Sequence, residues 1–104
     1  MENRKKAETF IGFAIKSGKC KIGGNAIATL KKAELIVVCK TASDNTKKDG
    51  VSFAKRFRCP VLFTEEKTLE ELTFKGNAKL MAITDKALSK AIIENKETVL
   101  TEGI

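Results

Sequence analysis

Five consecutive apolar residues, Leu35-Ile36-Val37-Val38-Cys39, stand near the middle of this 104-residue chain, and the central three are β-branched. A strand with one wet face would alternate apolar and polar residues. This run has no polar member, so it predicts a strand covered on both faces, which needs helices above and below it. Val61-Leu62-Phe63 and Leu80-Met81-Ala82-Ile83 repeat the pattern, and Cys20 to Ile22 predicts a shorter strand.

The segments between these runs change period. From Asn3 to Ser17, Ala7, Phe10, Ile11, Ala14 and Ile15 fall on one helical face, and Gly18 supplies the stop. Asn25 is placed to cap a second helix through about Lys32. Ser43 or Asp44 opens a third, with Val51, Ala54 and Phe57 facing inward, Gly50 as a weak point and an end before Pro60. Thr68-Leu69-Glu70-Glu71 has the form of a capping box for a short fourth helix. Asp85 caps a last one, with Ala87, Leu88, Ala91 and Ile92 as its inner face, and the tail from Glu97 to Ile104 declares no period. The expectation is an α/β fold, a three-layer α/β/α sandwich around a small, about four-stranded mixed sheet, forming one domain over 1–104.

Charge is distributed unevenly. Residues 1–60 hold fourteen Lys/Arg against five Asp/Glu, a balance of +9, while residues 61–104 hold six against eight, a balance of −2. A solvated face accounts for many lysines, but segregation on this scale points to a polyanionic partner, because phosphates bound by Lys/Arg release counterions. The longest apolar run is far short of the roughly twenty residues a membrane-spanning helix needs. Cys20, Cys39 and Cys59 form no C-x-x-C pair and leave an odd thiol over, which fits small buried hydrophobes in a reducing cytoplasm.

Catalytic chemistry finds little to work with. The chain has no histidine, so the commonest general base is missing, and zinc lacks its usual ligands. Gly12 to Lys19 imitates a phosphate loop, yet five residues separate Gly12 from Gly18 where four are required, and Cys20 stands where Ser or Thr must meet magnesium. Glu65-Glu66 and Glu70-Glu71 are adjacent pairs that suit a solvated helix start better than a metal or acid-base site. No catalytic group, metal site or cofactor is expected.

The loop Ile22-Gly23-Gly24-Asn25 differs in kind. Two glycines let the backbone approach a bulky partner, a helix N-terminus follows, and Asn25 carries a donor and an acceptor suited to a base edge. A tight turn before an ordinary N-cap accounts for the same residues without a ligand. The flanking Lys16, Lys19, Lys21, Lys31 and Lys32 favour nucleic acid.

At this point the chain resembles the kink-turn-binding ribosomal protein family of L-seven-Ae and L-thirty-e type, and in particular its small bacterial YlxQ-like members. Ile11-Gly12-Phe13-Ala14-Ile15-Lys16-Ser17-Gly18-Lys19 is similar to the family's Leu-Gly-Leu-Ala-x-x-Ala-Gly-Lys. Lys21 to Asn25, the run Leu35 to Cys39 with Ala42-Ser43 and Asn45-Thr46-Lys47-Lys48, Pro60-Val61, and Ala82-Ile83-Thr84-Asp85 resemble its later blocks in order.

The resemblance implies that the Gly-Asn loop and the second-helix N-terminus enter the widened groove of a kinked RNA helix and read tandem sheared G·A pairs, with Asn25 on a guanine edge. It implies a second loop, Phe74 to Lys79, against a splayed-out nucleotide, and Lys40 to Ser43 at the edge of the same surface. The expected RNA contacts are therefore Lys19, Lys21, Gly23, Gly24 and Asn25, then Ala26, Thr29 and Lys32. Lys40, Ser43, Lys75, Gly76, Asn77 and Lys79 complete them. Ala26 stands where the RNA-binding pattern has Glu, Thr29 where it has Lys, and Thr41 where relatives often carry Asp.

The reading is a non-catalytic, monomeric, cytoplasmic protein that binds structured RNA, ribosomal or in an mRNA leader, in or apart from the ribosome, and no membrane. An alternative keeps the scaffold and assigns it to protein contact, with weak or generic RNA affinity.

Overall fold

The computed structural model describes residues 6–65, 67–95 and 100–102. Helix and strand alternate as α1 (Lys6–Ser17), β1 (Cys20–Ile22), α2 (Gly24–Ala28), β2 (Leu35–Val38) and α3 (Asp44–Phe57). They continue as β3 (Val61–Thr64), α4 (Leu69–Thr73), β4 (Leu80–Ile83), α5 (Lys86–Glu94) and β5 (Leu100–Glu102). The sheet has the order β1-β4-β2-β3-β5; β2 and β3 run parallel through the α3 crossover, and the other pairs are antiparallel. The uninterrupted apolar run becomes the central strand, and all four residues of β2 are buried.

Helices cover both faces. Gly50 of α3 lies over Val38, Leu80 and Ile36 on one face. The other side of the sheet packs the helices α1, α4 and α5, joined through contacts of α1 with both α4 and α5. The three-layer α/β/α sandwich expected from the strand pattern is the fold observed. Its sheet gains a fifth strand, β5, from the tail that declared no period. There Leu62 pairs Glu102 and Thr64 pairs Leu100, so that edge is recruited by backbone hydrogen bonding.

Several local expectations are corrected. Asn25 is not the cap of α2: Gly23 is, at φ 96°, with no side-chain cap bond, and Asn25 lies one residue inside the helix. An L side chain is strained at that φ, so the glycine is required by the turn itself. The helix also stops at Ala28 rather than about Lys32, because Thr29 closes it: its hydroxyl donates to the Ala26 carbonyl at 2.6 Å. Gly50 is not a weak point. A Cβ there would stand 2.5 Å from Val38 Cγ2, so its absence lets α3 sit directly on the sheet. On α3, Ala54 is buried but Val51 and Phe57 only half-buried, and on α5 Ser89 joins Leu88 and Ile92 inside while Ala87 is exposed. Helix starts at Ser43, Thr68 and Asp85 are capped as expected, with the full capping box at Thr68. The predicted start of the first helix at Asn3 falls outside the described residues.

Candidate nucleic-acid interface

Three loops far apart in sequence meet at one end of the sheet. The Gly23 N–H donates to the Leu80 carbonyl at 2.8 Å, which ties the exit of β1 to the start of β4. The Cys39 N–H donates to the Lys79 carbonyl at 2.9 Å, which ties the exit of β2 to the same point. The Lys40 N–H donates to Thr64 Oγ1 at 2.8 Å and its ammonium to the Glu65 carbonyl at 2.9 Å, adding the exit of β3. This end lies outside the carboxyl ends of the parallel pair β2 and β3, where open α/β sheets commonly place their ligands. Gly23, Gly24, Asn25, Lys40, Ser43, Lys75, Gly76, Asn77 and Lys79 all belong to it.

The loop after α4 is braced from below. Lys79 Nζ donates to Glu70 Oε1 and to Thr41 Oγ1, at 2.8 and 2.9 Å, and the other Glu70 oxygen accepts the Asn77 N–H. Asn77 adopts a positive φ of 61°, a conformation Asn tolerates better than most residues. Lys79 is thus a positioning residue whose charge is met within the protein. Glu70 answers with a carboxyl held below its ordinary value by the Lys79 hydrogen bond and then by the Asn77 amide.

Beneath the loops, Cys39 is fully buried and its sulfur accepts the Leu69 N–H at 3.3 Å. Burial pushes this thiol up, but the Thr41 hydroxyl, the Leu69 and Thr41 amides and the Lys79 charge outweigh it and leave it lowered. Burial lifts Cys59 to about 11, with the Glu34 charge adding to it. Among the described residues no group of three or more Cys, Asp and Glu side chains is disposed to hold a metal ion.

Not every expected residue reaches this end. Lys19 directly precedes β1 at the opposite end, where its ammonium pairs with Asp85 at 3.2 Å and its carbonyl accepts the Thr84 N–H. Lys32 lies beside Glu34, at 3.9 Å, and the Glu34 N–H donates to Ile83, again at the far end of β4. Lys21 is exposed in the middle of β1. Thr29 closes the far end of α2, and half-buried Ala26 receives its hydroxyl. The short strand β1 carries the chain across the sheet between Lys19 and Gly23, so nearness in sequence does not bring all of these residues to one end.

One residue at the start of the expected second loop, not itself named among the contacts, stands out. Phe74 caps the end of α4 at φ 59° and is 80% exposed. A bulky side chain in that conformation is an outlier, and exposing the ring adds a second cost. Phe13 of α1, also exposed, shares with it the wall of a groove of about 430 Å³ between α1 and α4. The signal in the sequence was an aromatic residue where a helix end favours glycine.

No family model matches the chain, and no curated protein matches it significantly. Among solved structures it is similar to a protein with unknown function from Bacillus halodurans, with a TM-score of 0.73 and 17% identity over 88% of this chain and 96% of that one. At that identity the likeness speaks for the fold. No helix among the described residues is long and apolar enough to cross a membrane.

Proposed function

We propose that this chain is a non-catalytic RNA-binding protein of the kink-turn-binding L-seven-Ae and L-thirty-e type. The observation that supports this most is the convergence of the Gly23-Gly24-Asn25, Lys40–Ser43 and Lys75–Lys79 loops on one end of the sheet, tied through Leu80 and Lys79. These are the segments that the family resemblance assigns to RNA. Asn25 is exposed on the first turn of α2 and offers its amide to a base edge, Gly24 leaves open space for a close approach, and Lys75 is exposed on the loop after α4. Phe74 adds an aromatic face on which an unstacked base can rest. With Lys79 and Lys19 paired internally, base and backbone contacts in this reading fall to Asn25, the glycine backbone and the exposed lysines. The proposal includes a monomer acting in the cytoplasm on ribosomal RNA or an mRNA leader, within or apart from the ribosome.

The test is a titration against a kink-turn RNA and a length-matched plain duplex with magnesium at about 0.15 M salt, where long-range charge attraction is screened. The reading expects preference for the kink-turn. Equal, weak binding to both would sink it.

A second reading, a protein-interaction module on the same scaffold, draws on the exposed Phe13 and Phe74 rings. A partner retained after nuclease treatment of a lysate, and lost in the Phe74→Ala protein, favours it.

A further inference from the structure

Helix α3 carries a second basic surface that the loops do not use. Lys47, Lys48, Val51, Ser52 and Lys55 fall on one side of the helix and, with Phe63 of β3, line a shallow groove of about 420 Å³. The groove continues past Val51 and Lys55 to Arg58, Cys59, Pro60 and Val61. Its floor is apolar, through Val51, Val61 and the half-buried Phe63 ring, and its rim is cationic. Among the described residues no acid lines it; Asp44 stands on the same side only at the helix start, where it complements the helix dipole. Among the described residues Lys47, Lys48, Lys55 and Arg58 form no ion pair. Arg56, by contrast, is spent on the Ala28 and Leu30 carbonyls and on the face of Phe57.

We infer that this groove is a seat for the phosphate backbone of an RNA stem that extends beyond the loop end, an inference that rests on the RNA-binding reading. Two further features carry it. The track is continuous with the loops, because Ser43, directly after Lys40 to Ala42, caps α3. Its length also suits the ligand: Lys47 and Lys55 are about 12 Å apart along the axis, at 1.5 Å per residue, enough to meet more than one phosphate of a strand. Lysines on a flexible stem suit phosphates without base readout, so this surface holds RNA and leaves discrimination to the loops.

The experiment compares the native protein with Lys47→Gln/Lys48→Gln/Lys55→Gln on two RNAs, a minimal kink-turn and the same kink-turn with one stem lengthened. Affinity is measured across a salt series. For the long RNA the salt slope of log Kobs is expected to fall by about 2–3, at roughly 0.7–0.9 for each phosphate no longer neutralised, with the minimal RNA little affected. The Lys47→Arg/Lys48→Arg/Lys55→Arg protein should keep the native slope, which separates charge from packing. An unchanged slope on the long RNA, or equal weakening on both RNAs, overturns the inference. Failure of the loop reading itself shows elsewhere, as loss of the native protein's preference for kinked over plain RNA. In that case the slope change on a long plain duplex still decides for or against the α3 track.

Discussion

Lys79 donates from Nζ to Oε1 of Glu70 at 2.8 Å, and through that pair the loop carrying Lys75, Gly76 and Asn77 is clasped to α4. The clasp joins two of the three loops of the proposed surface, because Lys79 also holds Thr41 at the exit of β2. A residue that the family resemblance counts among the RNA contacts is therefore part of the frame that aims its neighbours.

Glu70→Gln should loosen this loop without unfolding the protein, seen as faster hydrogen exchange at the Asn77 amide and several-fold weaker kinked-RNA binding. The pH dependence has a definite sign. A carboxyl whose folded value lies below its ordinary 4.5 stabilises the fold in its charged form. Its contribution is complete above that ordinary value and is lost as pH falls through the lowered one. Asn77 protection should fade over that acidic range in the native protein, and show no such step in Glu70→Gln.

Phe74→Gly separates stability from function. Removing a bulky residue from φ 59° relieves left-handed strain worth about 1–2 kcal/mol, so the urea midpoint should rise. RNA affinity should fall by about 1–3 kcal/mol, the usual worth of one base stacked on an aromatic ring. A rise in both would take Phe74 out of the interface.

Four of the five strands were legible, three of them because runs without a polar face must be covered on both sides: Leu35 to Val38 is such a run, and helices had to cover it, whereas β5 carries no such pattern. Caps at Ser43, Thr68 and Asp85 were equally legible, since a side-chain oxygen three residues before an amide is local information. What stayed hidden was non-local. Gly50 reads as a helix breaker until Val38 is known to lie beneath it, and Asn25 reads as a cap until the backbone of Gly23 is seen at positive φ. Ion pairs engage Lys19 with Asp85, 66 residues away in sequence, and Lys79 with Glu70, and no spacing pattern announces either pair. The loop convergence itself was available only through the family resemblance, because no spacing rule predicts that residues 23, 40 and 77 share one end of a sheet.

Gly50→Ala should destabilise the protein by about 1–2 kcal/mol, read from thermal or urea unfolding. Overpacking against a stiff β-branched Val38 costs about 1–3 kcal/mol and exceeds the helix-propensity gain of roughly 1. A more stable variant would contradict the direct seating of α3 on the sheet.

Ser89→Ala should stabilise by about 1 kcal/mol. The Ser89 hydroxyl is buried and has no hydrogen-bond partner among the described residues, so its removal lifts a desolvation cost. A loss of stability would mean that the hydroxyl is satisfied after all.

Asn25→Ala should change stability by less than about 0.5 kcal/mol, because Gly23 and not Asn25 caps α2. Its affinity for kinked RNA should fall by about 1–3 kcal/mol, the worth of a bidentate base contact.

The most direct measurement is amide chemical-shift mapping of the native protein during titration with a minimal kink-turn RNA. The account predicts that Gly23 to Asn25, Lys40 to Ser43 and Lys75 to Asn77 shift together, while Lys19, Lys32 and Asp85 at the opposite end of the sheet stay still. Shifts concentrated at that opposite end, or spread evenly over every exposed lysine, would contradict the central claim that the three converging loops form the RNA surface.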